Sequence, residues 1–415
     1  MVTKSNGSNK NYPKPFKVLV LATFIDRFGS FLLFPFFSVY LIKHFNVTII
    51  EVGFLFSIFA GGSIIGSTIG GALADKYGRR SMLLLGLISS GIGSISMGLV
   101  DDLYLFFLLA AVLGVLGDLG GPARQAMVVD LLPEDRRADG FGLLRVAVNL
   151  AAVIGPILGG LLLTSSYLLL FISDAVCSLI TALIVFIVIP ETKPEKQDDK
   201  PEESVMRTIA GYKEVLKDGV YMLFLSVSAL TVLVYMQMNS TLSVFLWDVY
   251  EFPLSLFGVL LSMNAVMVVF FQFLITRMTA KYAPMKMMAL GTLLYMIGFG
   301  MYGFISLPYL FFVAMAILTV GEMIVIPVSQ ATVAHFASED KRGRYMAVYG
   351  FHWSVPTLFG VSAASFVYIS LGPNWVWYLA GILSLIAIIG FLMLNGIAKD
   401  RFSKKTEILV EELSE

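Results

Sequence analysis

The sequence predicts an all-α membrane protein with twelve transmembrane helices in two six-helix, pseudo-symmetric lobes. Of its 415 residues, 57% are hydrophobic and only 14% are charged, a composition that a water-soluble domain of this length could not present without aggregating. Long apolar stretches recur along the chain, and residues 205 positions apart match, as in Pro122 and Pro327, Gln125 and Gln330, and Gly86 and Gly291. These observations indicate that one apolar unit was doubled.

Twelve apolar stretches are near or above the roughly 20 residues that a helix needs to cross a bilayer. We predict helices because strands facing lipid would alternate polar and apolar residues. The stretches cover about 16–42, 52–74, 82–100, 103–129, 140–163, 167–190, 219–246, 255–279, 286–305, 308–336, 344–369 and 373–397. The predicted domains are an amino-terminal lobe (1–190), a cytoplasmic linker (191–218), a carboxy-terminal lobe (219–397) and a cytoplasmic tail (398–415).

The orientation follows from the positions of Lys and Arg. Basic residues cluster in every second connection, such as Lys76–Arg80 and Arg277–Lys286, whereas the intervening connections contain only Lys43. The positive-inside rule therefore places both termini and the linker in the cytoplasm of a multi-pass cell-membrane protein. We predict the linker to be a tether, with an amphipathic helix on the membrane face as the alternative for 203–217. The expected partner is the lipid bilayer, with no nucleic acid, and the protein is expected to be a monomer.

The most specific local pattern lies between the second and third spans, and it reads Gly71-Ala-Leu-Ala-Asp75-Lys-Tyr-Gly78-Arg79-Arg80. This pattern, with the span count and the central linker, resembles the signature of the major facilitator superfamily. The resemblance implies a latch between the lobes on the cytoplasmic side, formed by Asp75, Arg79 and Arg80 together with Asp130. The second repeat departs from the motif, with Thr276, Ala280 and Ala283 in place of Gly71, Asp75 and Gly78.

A second pattern lies in the fifth span, where Gly155, Pro156, Gly159 and Gly160 follow one another closely. Small residues at such spacing let helices approach closely, and proline bends a helix. The pattern resembles the fifth-span motif of the superfamily's proton-driven drug antiporters, although Ala151 stands where another glycine is usual. Ordinary helix packing in a membrane is the alternative interpretation.

Several ionisable residues lie inside the spans, where each costs on the order of 2.5–3.5 kcal/mol on insertion scales. They are Asp26, Arg27, Asp118, Arg124, Arg145, Asp174 and Glu322. A carboxylate in an apolar cavity can carry a proton, so Asp26, Glu322 and Asp118 are the predicted proton-coupling residues. We expect Asp26 or Asp118 to pair with Arg145 or Arg124, and a static set of ion pairs that fixes helix positions is the alternative.

Polar and aromatic residues of the carboxy-terminal half are candidates for a substrate cavity. They are Tyr235, Gln237, Asn239, Asn264, His352 and Trp353. With 33 Phe and 20 Met in the chain, such a cavity could be wide, apolar and adaptable. Phe and Met are also typical of helix surfaces that face lipid, which is the alternative explanation.

The predicted function is proton-coupled export of amphipathic small molecules by alternating access, with protons and a small-molecule substrate as partners. The alternatives are proton-coupled uptake of an anionic metabolite, held by Arg124 and Arg145, and a membrane sensor that does not transport. An enzyme is disfavoured, because His44, His335 and His352 have no metal-ligand spacing and no nucleophile–base pair is evident. We expect no metal and no cofactor, and the absence of a Walker-type phosphate loop in the sequence disfavours direct use of ATP.

Overall fold

The computed structural model describes residues 12–163, 165–193, 215–336 and 342–397, and every regular element in these ranges is a helix. The first half contains α1 (Lys14–Leu33), a 3₁₀ turn (Phe34–Phe36), α2 (Phe37–Phe45), α3 (Ile49–Tyr77), α4 (Arg79–Leu99), α5 (Leu103–Asp118), α6 (Gly120–Leu131), α7 (Glu134–Leu163) and α8 (Tyr167–Val188). The second half contains α9 (Gly219–Tyr235), a 3₁₀ turn (Met236–Met238), α10 (Thr241–Tyr250), α11 (Leu254–Thr279), α12 (Pro284–Met301), α13 (Pro308–Phe336), α14 (Arg342–Tyr349), α15 (Phe351–Ser370) and α16 (Trp375–Ile397). Most of the predicted linker, including most of the helix predicted at 203–217, and the tail at 398–415 lie outside the described residues.

The predicted all-α membrane class is confirmed. Eleven helical segments in the described ranges are long and apolar enough to cross a membrane. The remaining segment of the twelve-span pattern is α12, which has 18 residues and carries Lys286 in its first turn. Four of the twelve predicted spans consist of two consecutive helices, since α1 continues into α2, α5 into α6, α9 into α10, and α14 into α15.

The bounds of the helices repeat with the same offset as the sequence. The α5–α6 pair runs from Leu103 to Leu131, and α13 runs from Pro308 to Phe336, so both ends are displaced by 205 residues. The first and seventh spans are each interrupted by a three-residue 3₁₀ turn, at 34–36 and at 236–238, which is close to this offset at 202 residues. Doubling of the unit therefore extends from single residues to the places where helices begin, break and end.

The break in the seventh span is stabilised by one side-chain amide. Gln237 is buried, and its Nε2 donates hydrogen bonds to the carbonyls of Leu233 (3.0 Å) and Gly360 (3.3 Å), while its Oε1 accepts one from Thr241 (2.7 Å). A backbone carbonyl without a partner in an apolar surrounding would cost free energy, and the amide satisfies two of them. Asn239 directly follows this turn, and its backbone N–H donates a hydrogen bond to the Met236 carbonyl. Neither Gln237 nor Asn239 lines the cavity described below.

Two compact units can be distinguished, each with its own packing. Within the described residues, unit 1 contains 12–33, Gly61–Gly155 and 165–193, and unit 2 contains Phe34–Ala60, 156–163, 215–336 and 342–397. Unit 2 therefore includes helices from both halves of the sequence. Inside it, the hydroxyls of Ser57 and Ser362 lie 2.8 Å apart, and the Lys43 ammonium lies 4.7 Å from the centre of the Trp247 ring.

The glycines of the fifth-span motif contact neighbouring helices at close range. A Cβ atom at Gly155 would lie 2.5 Å from the Cβ of Phe31 in unit 1, and one at Gly160 would lie 2.8 Å from the Cα of Ser255 in unit 2. Pro156 faces Gly258, where a Cβ atom would collide with the proline carbonyl oxygen. Gly159 is also buried. In this structure, Gly155 and Gly160 allow backbones to approach, as small residues in membrane helices commonly do.

Gly78 separates α3 from α4 and has a φ of 103°, a conformation that side-chain-bearing residues rarely adopt. A Cβ atom there would also collide with the Glu191 carboxylate. We expect Gly78→Ala to lower the free energy of unfolding by about 1–3 kcal/mol, measured from melting curves of the detergent-purified protein. Gly142→Ala is the control, because Gly142 lies in α7 with nothing near its missing Cβ atom. Equal melting temperatures for the two variants would contradict the prediction.

Candidate functional site

In unit 2, Glu322 of α13 is held by side chains from two other helices. The Tyr235 hydroxyl at the end of α9 donates a hydrogen bond to Glu322 Oε1 (3.0 Å), and Asn264 Nδ2 of α11 donates one to Oε2 (2.8 Å). Asn264 also donates to the Thr319 hydroxyl (2.9 Å), one turn before Glu322. The Tyr235 hydroxyl and the Asn264 amide are neutral groups, so they can stay hydrogen-bonded to the carboxylate while it gains or loses a proton.

The Tyr235 ring also forms part of the wall of a cavity of about 250 Å³ in unit 2. The ring lies 6.0 Å from that of Tyr295 and 5.9 Å from that of Trp353, measured between ring centres. The remaining lining residues come from α9, α13, α14 and α15, with Gly350 between the last two, and they are Thr231, Val232, Val325, Ile326, Ser329, Gln330, Tyr349, Gly350 and His352. The cavity thus combines aromatic walls with a few hydroxyl and amide groups, as small-molecule sites commonly do.

The polar groups of this wall are held in place by one another. The hydroxyls of Ser329 and Tyr349 lie 2.8 Å apart, and His352 Nδ1 contacts the Tyr349 carbonyl. The rings of Tyr349 and His352 stack with their centres 4.0 Å apart. Of the residues that the sequence indicated for a cavity, Tyr235, His352 and Trp353 line it, and Asn264 is connected to it through Glu322 and Tyr235. Tyr295, Ser329 and Tyr349 carry no sequence signal that separates them from other apolar-span residues.

In unit 1, the structure pairs two of the intramembrane charges. Arg124 Nη2 of α6 lies 2.8 Å from Asp26 Oδ2 of α1, and both side chains are largely buried. Asp118 instead accepts a hydrogen bond from the Ser63 hydroxyl (2.6 Å). One of the four expected acid–arginine combinations is therefore present, and it joins the first span to the fourth.

The other two arginines are placed differently. Within the described ranges, Arg145 makes no ion pair, and its side chain is exposed. The expected pairing of Arg145 with Asp26 or Asp118 is absent here, because Asp26 is already bound by Arg124 and Asp118 by Ser63. Arg27 also has no ion-pair partner among the described residues, although Arg124, Asp26, Asp118 and Asp174 are near enough to act on it electrostatically.

The loop motif is held by a residue that sequence reasoning missed. Glu191, three residues after α8, accepts hydrogen bonds from the backbone N–H groups of Arg79 (2.7 Å) and Arg80 (3.3 Å) at the start of α4. A carboxylate at a helix N-terminus satisfies free N–H groups and opposes the helix dipole. Arg79 Nε lies 3.3 Å from Asp130 Oδ2, and the Arg80 guanidinium contacts the carbonyl and ring of Phe186. These contacts all lie within unit 1, and the Asp75 side chain lies outside the described part of the chain.

Comparisons with known proteins agree with this architecture. The chain matches the family model of the Major Facilitator Superfamily over residues 19–284 and 229–412. It is 26% identical to a Na(+), Li(+), K(+)/H(+) antiporter of Planococcus maritimus, over 83% of this chain and 88% of that one. It is 24% identical to the multidrug resistance protein MdtH of Escherichia coli O1:K1 / APEC, over 91% and 92% of the two chains.

Solved structures show the same fold at lower identity. A mutant of the nucleoside transporter NupG superimposes with a TM-score of 0.79 at 13% identity, covering 92% of this chain and all of that one. A transporter of the POT family in complex with 5-aminolevulinic acid gives a TM-score of 0.77 at 16% identity, covering 94% and 97%. The chain therefore belongs to the Major Facilitator Superfamily, a family of membrane transporters rather than enzymes.

Proposed function

We propose that this transporter exports amphipathic small molecules in exchange for protons, by alternating access, with Glu322 as its principal proton-binding residue. The observation that carries the proposal is the double role of Tyr235, whose hydroxyl donates to Glu322 while its ring forms part of the cavity wall. A solute that displaces this ring changes the hydrogen bonding of the carboxylate. A proton that neutralises the carboxylate changes the hydrogen bond between Glu322 and the Tyr235 hydroxyl. The solute and the proton therefore both act on the Tyr235 side chain.

The composition of the cavity supports an amphipathic substrate. Tyr235, Tyr295 and Trp353 offer flat apolar surfaces, and Ser329 and Gln330 offer hydrogen-bonding groups. Aromatic faces bind flat apolar or cationic groups without requiring one exact geometry. The six spans of the second half carry Lys and Arg only near their ends, so Glu322 gives the interior of this half an acidic character. A neutral or cationic amphipath fits this chemistry better than an anion does.

The proton gradient supplies enough energy. One proton moving down about 100 mV and one pH unit releases about 3.7 kcal/mol, which supports roughly a 500-fold solute gradient. The names of two relatives support exchange and export, since one is a Na(+), Li(+), K(+)/H(+) antiporter and the other a multidrug resistance protein. Asp26 and Asp118 in unit 1 are further candidates for proton coupling.

Transport in proteoliposomes tests the proposal. Ethidium, a permanently charged aromatic cation, should accumulate in vesicles with an acidic interior and should stop doing so when the pH gradient is collapsed. Because its charge does not depend on pH, it cannot be trapped by protonation alone. Uptake of an anionic metabolite driven by an acidic exterior would contradict export, and the absence of flux for ethidium and other amphipathic cations would favour a sensor.

Trp353 should contribute directly to binding of the solute. Trp353→Ala removes an aromatic wall of the cavity, and we expect it to weaken ethidium binding about tenfold, equivalent to about 1.4 kcal/mol. Trp375→Ala is a matched control, because both side chains are 44% exposed and Trp375 lies at the start of α16, away from the cavity lining. Fluorescence titration of the purified proteins measures both affinities. Equal losses in the two variants would argue against this cavity as the binding site.

A further inference from the structure

A second acidic residue inside the membrane, Asp174 of α8, is deeply buried in unit 1. The residue is 7% exposed, and no group in the described part of the chain donates a hydrogen bond to its Oδ1 atom. One helical turn later on the same face, the Ser178 hydroxyl is fully buried and also has no partner in the described chain. Asp174 Oδ1 and the Ser178 hydroxyl are thus two buried polar groups in unit 1 without hydrogen-bond partners among the described residues.

The helices packed against α8 bring few polar groups to this carboxylate. From α1, Gly29 approaches so closely that a Cβ atom there would lie 3.0 Å from Asp174 Oδ1. From α4, the polar neighbour is Ser94, whose hydroxyl also donates to the Phe171 carbonyl (3.1 Å). The ionisable groups that act on Asp174 from α1 are Asp26 and Arg27, and Cys177 is the one on its own helix. Among the described residues, the charged neighbours that act on Asp174 are therefore both on α1.

An ionised carboxylate with an unsatisfied oxygen in this position would carry a large desolvation cost, whereas the neutral acid avoids most of it. Asp26 cannot offset the charge, because it is itself acidic and is bound by Arg124 at 2.8 Å. Arg27 can offset it, since it has no ion-pair partner among the described residues and lies within electrostatic reach of Asp174. Charge on Asp174 and pairing of Arg27 are therefore linked.

We propose that Asp174 is a second proton-binding site, located in unit 1, that is protonated in this structure and loses its proton when Arg27 pairs with it. The O–H bond of the acid breaks, the proton passes to water, and the remaining carboxylate is neutralised by the guanidinium. The site goes beyond the function proposed above and does not depend on Glu322. When the proton leaves, the Arg27 side chain must turn toward the acid. Deprotonation of Asp174 therefore favours a movement of α1 relative to α8.

Infrared difference spectroscopy of the full-length protein in lipid tests the site, because a protonated carboxyl group has a carbonyl stretch that a carboxylate lacks. We expect a pH-dependent band that is lost in Asp174→Asn and retained in Asp139→Asn, an exposed aspartate of the same unit. The band should also be retained in Glu322→Gln, which separates this site from the one in unit 2. A spectrum of Asp174→Asn identical to that of the wild type would overturn the proposal.

Arg27→Gln provides a second test that keeps Asp174 in place and does not require the asparagine variant to fold. Without the guanidinium, the Asp174 band should persist to at least one pH unit higher than in the wild type. Identical titration in both proteins would overturn the link to Arg27. Loss of the wild-type band on adding Na⁺, Li⁺ or K⁺ at constant pH would assign the site to a metal cation and would overturn its assignment to protons alone.

Discussion

Replacing Arg124 by Gln should lower the free energy of unfolding by about 3–5 kcal/mol even when no solute is bound. Asp26 would remain in the interior of unit 1 without its partner at 2.8 Å, and its side chain is only 11% exposed. A carboxylate that loses its partner in such a place bears the full cost of desolvation. Melting curves of the purified protein without solute measure the loss.

Neutralising the acid as well should restore much of the stability. In the double variant Asp26→Asn with Arg124→Gln, no charge is left uncompensated, so the two substitutions should be strongly non-additive. Arg145→Gln is the matched control, and its cost should be within about 0.5 kcal/mol because that side chain is exposed and unpaired among the described residues. If Arg124 instead bound an anionic substrate, Arg124→Gln would abolish substrate binding with little loss of stability, and Asp26→Asn would not rescue it.

Glu322→Gln should remove the pH dependence of ethidium binding while leaving binding measurable. Gln has nearly the shape of the protonated acid, can keep contacts with Tyr235 and Asn264, and cannot ionise. In the wild type, affinity for this cation should rise with pH as the carboxylate becomes charged. The variant should keep the wild-type affinity of acidic pH across the whole range, and proton-driven accumulation of ethidium should be lost.

The control for this experiment is Glu251→Gln, an exposed carboxylate of unit 2 at the end of α10. It should leave both the affinity and its pH dependence unchanged. Unaltered pH dependence in Glu322→Gln would exclude Glu322 and direct attention to Asp26, Asp118 and Asp174. Because the Asp174 band is read by spectroscopy rather than by transport, failure of one proton site can be distinguished from failure of the other.

The helices and their doubling could be predicted from the sequence because both are one-dimensional properties. A run of apolar residues long enough to cross a bilayer must satisfy its backbone hydrogen bonds internally, so composition alone indicates a helix. The repeat offset then fixes corresponding helix ends, as the match of Leu103–Leu131 to Pro308–Phe336 shows. The intramembrane acids could likewise be listed, because their cost in lipid marks them without knowledge of the fold.

The choice among partners depended on how each helix is rotated and how closely it packs, which the order of residues does not specify. In the folded protein, Asp26 pairs with Arg124 rather than with Arg145. Gln237 donates hydrogen bonds to backbone carbonyls and does not line the cavity. Tertiary packing also brought Glu191 to the start of α4 across 112 residues. The unpartnered Oδ1 of Asp174 became visible only in the structure, where this atom lies close to Gly29 of another helix. The residue types determine which polar and charged groups need a hydrogen-bond or ion-pair partner. The packing of neighbouring helices determines which group provides that partner.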